Sequence, residues 1–366
     1  MIRAYKLRLY PNKEQAILIN KTFGCKRFIY NHFLDLKSKL YKEDKKSLSY
    51  SQCSKQLTSL KRENDWLKEP DKFALQNTLR DLDTAYQNFF KHGSKYPKFK
   101  AKHDRNQSYR TTRSQNNIEF LGNKIKLPKL GKVKCKGYKE IAGKIVNATI
   151  SRTPSGKYYV SVCCDEVEIK PLPKTNSQVG IDLGIKEFAI TSNGQKHENP
   201  KYLEKSLKKL ARLQRALSRK EKGGANWEKN RVKVARLHEK ITNQRQDYLH
   251  KLSKKLVEEH DVICLETLRS SDMMKTKSMA RSIGSVSWFE LTRQLSYKAE
   301  WYDKSVFKID SYYASSQNCS MCGYQNSEVK NLSLREWVCP ECKSIHDRDI
   351  NAAKNILNEG LKQLVS

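Results

Sequence analysis

Polar and apolar residues alternate over the first ten positions, with Ile2, Ala4, Lys6, Arg8 and Tyr10 on one side. That pattern predicts a strand, ended by Pro11 and Asn12. From Lys13 to about His92 the period lengthens to that of a helix. Ile17, Leu18, Phe23, Phe28, Ile29, Phe33, Leu34 and Leu40 recur at steps of three and four. So do Leu75, Leu79, Leu82, Tyr86 and Phe89/Phe90, after a helix start at Pro70–Asp71. These stripes predict the core of a small helical bundle. Short β-like runs follow (NIEFLG, KIKLPKLGKVKC, VNATISRT and KYYVSVCC), with turn residues at Gly122–Asn123, Gly131 and Pro154–Gly156. They predict a small β-rich, barrel-like module.

The polar, proline-bearing stretch EIKPLPKTNSQ, Glu168 to Gln178, is the best domain boundary in the chain. After it, VGIDLGIKEFAITSNGQ reads as two apolar runs with turns near Gly184 and at Asn193–Gly194. Lys201 to His260 is helical and broken once, at Gly223–Gly224. Leu203, Leu207, Leu210, Leu213 and Leu217 mark the first helix; Leu237, Ile241, Tyr248, Leu249, Leu252 and Leu256 mark the second. Two further strands are expected at DVICLE and SVFKID, and a helix beginning in HDRDINAAKNIL.

Charge narrows the partner. The 366 residues carry 72 Lys and Arg against 39 Asp and Glu, a formal charge of +33. A surplus of that size repels itself unless a polyanion neutralises it, which points to nucleic acid and away from a small-molecule enzyme of ordinary surface charge. From Lys91 to Lys144 there are 16 Lys/Arg and three acids, interleaved with Tyr96, Phe99, Tyr109, Phe120 and Tyr138. Cations with aromatics suit phosphate contact and base stacking, and Lys98, Lys100 and Lys102 are the candidate nucleic-acid contacts. The hairpin from Lys201 to His260 holds 18 Lys/Arg and seven acids, mostly off its apolar stripe. No apolar stretch approaches the ~20 residues of a membrane span, and the start MIRAYKLRLYPNKEQ has no signal-peptide core or cleavage site. A cytoplasmic, nucleoid-associated protein with no membrane partner is expected.

Two groups of residues point to chemistry. Cys319-x-x-Cys322, then sixteen residues, then Cys339-x-x-Cys342 is the spacing of two zinc knuckles. Four thiolates give the closed tetrahedral shell of a structural Zn²⁺, with Gly323 in the tight turn. The second group is three carboxylates. Asp182 sits inside the apolar run VGIDLG and Glu266 ends VICLE; an acid there is costly to hold charged without a cation or donor. Counting i+4, i+7 and i+8 from Asp349 gives Ala353, Ile356 and Leu357, which puts Asp349 on the buried, sheet-facing side of its helix. Asp347 points elsewhere and reads as the helix cap. Three converging acids suit hard divalent cations, and two such ions ~3.5–4 Å apart assist phosphodiester hydrolysis.

VGIDLGIKEFAITSNG, VICLETLRSSDM, SWFELTRQLSYKAEWYDKSVFKID, SSQNCSMCGY, WVCPECKSIHDRDINAAKNIL and the N-terminal YKLRLYPNKEQAILINKTFGCKRFIYN resemble successive blocks of the TnpB family. These are transposon-encoded proteins related to type V CRISPR effectors. The resemblance runs nearly the whole length. It implies an α+β multidomain protein: an RNase H-like RuvC nuclease domain at 173–312 and 345–366, and a zinc ribbon at 313–344. A β-barrel wedge domain at 1–12 and 93–172 holds a helical recognition insertion at 13–92. It also implies an RNA-guided DNA endonuclease with a guide RNA from the transposon end, double-stranded target DNA beside a short motif, and a separate transposase of the same element. The family's catalytic acids fall on Asp182, Glu266 and Asp349, where Mg²⁺ or Mn²⁺ is implied, and its zinc ligands on Cys319, Cys322, Cys339 and Cys342. Three other readings stand beside it. An RNA-guided binder without cleavage would keep the acids for folding alone. A guide-independent RuvC-like nuclease leaves the basic, aromatic first 170 residues unexplained. A strand-joining transposase lacks a tyrosine context that nominates a nucleophile.

Overall fold

The structure, a computed structural model, describes residues 1–104, 107–138, 140–331 and 333–364, except the side chains of 277 and 278. The chain divides into two compact units, Met1–Glu168 and Ile169–Ser366. The break falls at the head of the proline-bearing connector.

In the first unit, β1 (Arg3–Tyr10) buries Tyr5, Leu7 and Leu9 and turns the alternate residues outward. Asn12 then caps α1 (Lys13–Asp44) in a reciprocal box: its side chain accepts from the Gln15 N–H while the Gln15 side chain accepts from the Asn12 N–H. Helix α2 (Tyr50–Glu63) starts in the same way at Ser49 and Gln52. Helix α3 (Lys72–His92) is capped by Asp71 and stops at Gly93, whose φ of 61° favours glycine. Ile29, Phe33, Leu34, Leu57, Leu75, Leu79 and Leu82 form the bundle core. Three residues of the sequence stripes are exposed: Ile17, Phe90 and Phe28, the last resting edge-on against Trp66, and Ile19 is buried instead.

Strands β2 (Gln107–Thr112), β3 (Glu119–Leu121), β4 (Lys124–Leu127), β5 (Gly131–Lys136), β6 (Lys144–Arg152) and β7 (Tyr158–Asp165) complete the unit. With β1 they form one antiparallel sheet in the order β2-β6-β7-β1-β5-β4-β3. Strand β1 pairs with β7 in its middle, Leu7 opposite Val160, so the three helices are an excursion between strands of one sheet. The sequence pattern did not mark β2, because QSYRTT is polar. Its inward Thr111 hydroxyl instead donates to the buried Asp71 carboxylate at 2.6 Å.

The second unit opens with β8 (Gln178–Asp182), β9 (Glu187–Thr191) and β10 (Lys196–Glu198), then α4 (Tyr202–Ser218) and α5 (Ala225–Glu259). Next come β11 (Val262–Glu266), α6 (Ser270–Met273), α7 (Lys277–Val286), α8 (Trp288–Tyr302) and β12 (Ser305–Ile309). The short strands β13 (Glu336–Val338) and β14 (Ile345–Asp347) pair with each other, and α9 (Arg348–Lys362) ends the fold. The five-stranded sheet runs β10-β9-β8-β11-β12, with β8, β11 and β12 parallel, β9 antiparallel to β8 and β10 antiparallel to β9. Side chains alternate across it. Val179, Ile181, Ile263 and Leu265 pack with Leu249, Leu252, Leu256, Leu291 and Leu295 of α5 and α8, whereas Cys264 packs with Ile356 of α9. Helix α9 lies so close that a Cβ at Gly180 would overlap the Ala353 carbonyl, and one at Gly360 the Cys264 side chain. The connector is pinned to this unit by Asp261, which pairs with the buried Lys304 and accepts from the N–H groups of Thr175 and Asn176.

Candidate active site and metal centre

The strand period decides where the acids point. Asp182 ends β8 two residues after Gly180, and Glu266 ends β11 two residues after Cys264. Both therefore share the parity of the residues that face α9. They sit at the carboxyl ends of adjacent parallel strands, where open α/β sheets place their ligands. The two carboxyl groups act directly on each other, and Glu266 Oε1 accepts from the Leu183 N–H at 3.2 Å. Burial, then the charge of Glu266, then that of Asp349 push the Asp182 carboxyl well above the usual carboxylate range; Arg348 opposes the shift. Burial also raises Glu266, against the Leu183 N–H and the Asp182 carboxyl.

Asp349 is the second residue of α9 and is partly exposed, with Oδ2 3.4 Å from Arg335 Nη1. Ala353 and Ile356, one and two turns on, are fully buried on the sheet side, as the periodicity predicted, although Asp349 itself keeps 27% of its side-chain exposure. Asp347 caps the helix: its Oδ1 accepts from the N–H groups of Asp349 and Ile350 at 3.0 Å, and Lys196 holds its Oδ2 at 2.7 Å. Burial works to raise the Asp347 carboxyl, but the Lys196 pair and these N–H donors bring it below its ordinary value. Asp182 and Glu266 thus sit at adjacent strand ends, and both Glu266 and Asp349 act on the Asp182 charge. Among the described residues, only the cysteine quartet closes its donor atoms tightly enough to surround one ion as placed. Three acids whose mutual repulsion is met by two arginines form a donor set suited to a divalent cation.

The four cysteine sulfurs lie within 4.8 Å of one another. Cys319 and Cys342 are 3.5 Å apart and Cys322 and Cys339 3.6 Å apart, too long for disulfides. A Zn–S bond of about 2.3 Å in a tetrahedron requires sulfurs about 3.8 Å apart, so the quartet fits that ion. Gly323 follows the first knuckle at φ 81°. The Ser344 hydroxyl, 2.9 Å from Cys342, helps hold that thiol down to about 6. The Tyr324 N–H acts downward on Cys322, yet burial and its bonds to the other cysteines push it up to about 12.

Sequence reasoning missed the groups that join these two centres. His346 Nε2 is 3.1 Å from Cys319 Sγ and 2.9 Å from Ser344 Oγ, with its ring against Trp337. Asn351 and Asn355 are buried on α9, and Arg348, also buried, has no partner for Nε. Two asparagines four apart in an apolar helix were the available signal. Lys98, Lys100 and Lys102 are exposed on the irregular segment after α3. Asn31 fixes the Lys100 backbone at both N–H and carbonyl, and its ammonium lies over the Tyr30 ring. Among the described residues no helix is long and apolar enough to cross a membrane.

Comparison with known proteins shows which family carries this mixed sheet and its four-cysteine cluster. Residues 161–277 match a family described as "Probable transposase", and 288–356 match a "Cas12f1-like, TNB domain". Residues 1–46 match a "Helix-turn-helix domain", although here they form β1 and one long helix. A Streptomyces pristinaespiralis protein named "Putative RNA-guided DNA endonuclease" is 38% identical over 98% of this chain and 89% of its own. A relative from Escherichia coli K12, "Putative RNA-guided DNA endonuclease InsQ", is 33% identical over 98% and 92%. A Cas12f1 chain, solved in complex with sgRNA and target DNA, shares the fold at a TM-score of 0.63 and 14% identity, covering 98% of this chain and 99% of that one. The chain belongs to the TnpB family.

Proposed function

We propose that the protein is an RNA-guided DNA endonuclease of a transposable element, hydrolysing guide-matched DNA beside a short motif at Asp182, Glu266 and Asp349. The observation that carries this reading is the convergence of those acids from two strand ends and one helix start in a chain of charge +33. The sheet, numbered from β8, runs 3-2-1-4-5 with the first, fourth and fifth strands parallel. That order supports an RNase H-like RuvC domain at 173–312 and 345–366, with 313–344 as a zinc ribbon. The seven-stranded sheet from 1–12 and 93–172 serves as the wedge domain, and the helices of 13–92 as its recognition insertion. The partners are a guide RNA from the transposon end and a double-stranded DNA target; the relatives' names and the Cas12f1 complex support them. A separate transposase of the same element and a nucleoid-associated location belong to the same reading.

Bound Mg²⁺ or Mn²⁺ would polarise the phosphodiester and lower the pKa of the attacking water. Asp182, Glu266 and Asp349 would hold it through their carboxylate oxygens. The Leu183 N–H orients the Glu266 carboxylate, and Asp347 acts as the cap that fixes the first turn carrying Asp349. Asp182→Ala, Glu266→Ala and Asp349→Ala should each lower cleavage by at least about 10³-fold and leave RNA-guided DNA binding intact, because the ligands that place the metal are lost and the binding surface is not. Asp347→Ala should cost less, about tenfold, through the cap. Plasmid cleavage and gel-shift binding of the four variants check this. Loss of cleavage in Asp347→Ala with retention in Asp349→Ala would reverse the two roles.

A further inference from the structure

Asn351 and Asn355 are 1% and 4% exposed on a helix whose other buried positions are mostly apolar. At about 100° per residue they lie about 200° and 240° around α9 from Asp349, whereas Ala353 and Ile356, which pack on the sheet, lie within about 40° of it. The helix thus has an inner face on the sheet and an outer, amide-bearing face. That outer face grips the first cysteine knuckle. Asn351 Oδ1 accepts from the Ser320 N–H at 2.9 Å, and its Nδ2 donates to the Asn318 carbonyl at 2.7 Å. Asn355 Nδ2 donates to the carbonyls of Asn318 and Ser315 at 2.6 and 2.8 Å. Asn318 and Ser320 flank Cys319, so these bonds clasp the backbone of a candidate metal ligand.

The far side of the knuckle reaches the same helix. His346, against Cys319 Sγ, is followed at once by the capping Asp347. Arg335, before β13, accepts the Arg348 N–H on its carbonyl at 2.8 Å and pairs with Asp349 itself. Buried amides left without partners are costly, so knuckle and helix keep their register only together. We propose that Asn351, supported by Asn355, is a positioning residue that couples metal occupancy of the cysteine quartet to the placement of Asp349. The proposal rests on Asp349 being a ligand of the nuclease site. With the quartet closed around a metal, the Asn318–Ser320 backbone is fixed and holds α9 from outside. With the metal gone, only the sheet face holds it. By linkage the effect is reciprocal: a seated helix slows metal loss from the cysteines.

The test uses the full chain with its RNA and has two readouts: the rate at which a chromogenic chelator takes metal from the cysteines, and the Mg²⁺ concentration for half-maximal cleavage. Asn351→Ala should release metal about tenfold faster and need about tenfold more Mg²⁺, with guide-RNA affinity unchanged, the size of effect usual for groups that orient metal ligands. Asn351→Asp keeps the acceptor for Ser320 and loses the donor to Asn318; it should fall between. Should Asn351→Ala fail to fold, Asn355→Ala, which removes only two donated bonds, must show the same two shifts at smaller size. Asp349→Ala should be inactive yet release metal at the wild-type rate. Wild-type release and Mg²⁺ requirement in the asparagine variants, with Asp349→Ala inactive, would overturn the coupling alone. Full cleavage by Asp349→Ala would overturn the nuclease-site reading beneath it.

Discussion

Asp182 sits at a strand end where burial and two neighbouring acids all oppose its charge. Its folded-state pKa is raised above the unfolded value, so the folded protein holds the proton more tightly. Stability therefore falls as pH rises from the unfolded carboxylate value through the folded one, and stays lower at neutral pH. Asp182→Asn removes the charge and keeps the shape. Without added divalent metal, the RNA-bound variant should melt about 2–4 °C above wild type at pH 7, the shift of about 1 kcal/mol in a unit of this size, and should lose most of that gain near pH 4. Thermal melts at the two pH values check it, and a lower melting temperature for the variant at pH 7 would show that the acids are not in conflict. At this scale the sequence was legible where chemistry is dense. The carboxylates and cysteines declare themselves by residue type and spacing. Asn351, Asn355 and His346 do not, because their roles depend on which backbone groups a distant loop presents to them.

Helix α9 owes its place to two absences of a side chain. Gly180 on β8 lets backbone meet backbone, where a Cβ would overlap the Ala353 carbonyl, and Gly360 on the helix leaves room for the Cys264 side chain. Overpacking against side chains costs typically about 1–3 kcal/mol, and at Gly180 the obstacle is backbone. Gly180→Ala should therefore destabilise the protein by about 3 kcal/mol or more and reduce cleavage sharply, since Asp182 is two residues away. Gly24→Ala in α1, with nothing near its Cβ position, should be neutral or stabilising by up to about 1 kcal/mol. Denaturant melts of the two variants decide it; equal effects would mean α9 is not held at contact distance. Periodicity found most elements with their boundaries, including the Asp71 start of α3 and the break between α4 and α5. It failed for β2, β10, β13, β14 and α6 to α8. Strand β2 is polar and held by Asp71, β10 is a three-residue edge, and α7 lies in a segment whose pattern gave no assignment.

Across the whole molecule, a surplus of +33 makes the folded state self-repelling until phosphates neutralise it. Cognate RNA, by binding the folded form, should raise its melting temperature by mass action. Lys98, Lys100 and Lys102 are exposed on one short segment, with Tyr30 beneath the Lys100 ammonium. If each meets a phosphate, changing all three to Gln should lessen the slope of log affinity against log salt by about two to three. RNA binding across a salt series reads this directly, and an unchanged slope would place the RNA elsewhere.

The most direct measurement combines the scales. Protein purified with its own RNA, whose sequence is read to define the target, is mixed with matched and mismatched plasmids in Mg²⁺, beside Asp182→Ala, Glu266→Ala and Asp349→Ala. Linearisation of the matched plasmid alone, and only by the protein with all three acids, is the result expected. Guide-matched binding without any cut by the wild-type protein, or cutting that survives loss of these acids, would contradict it.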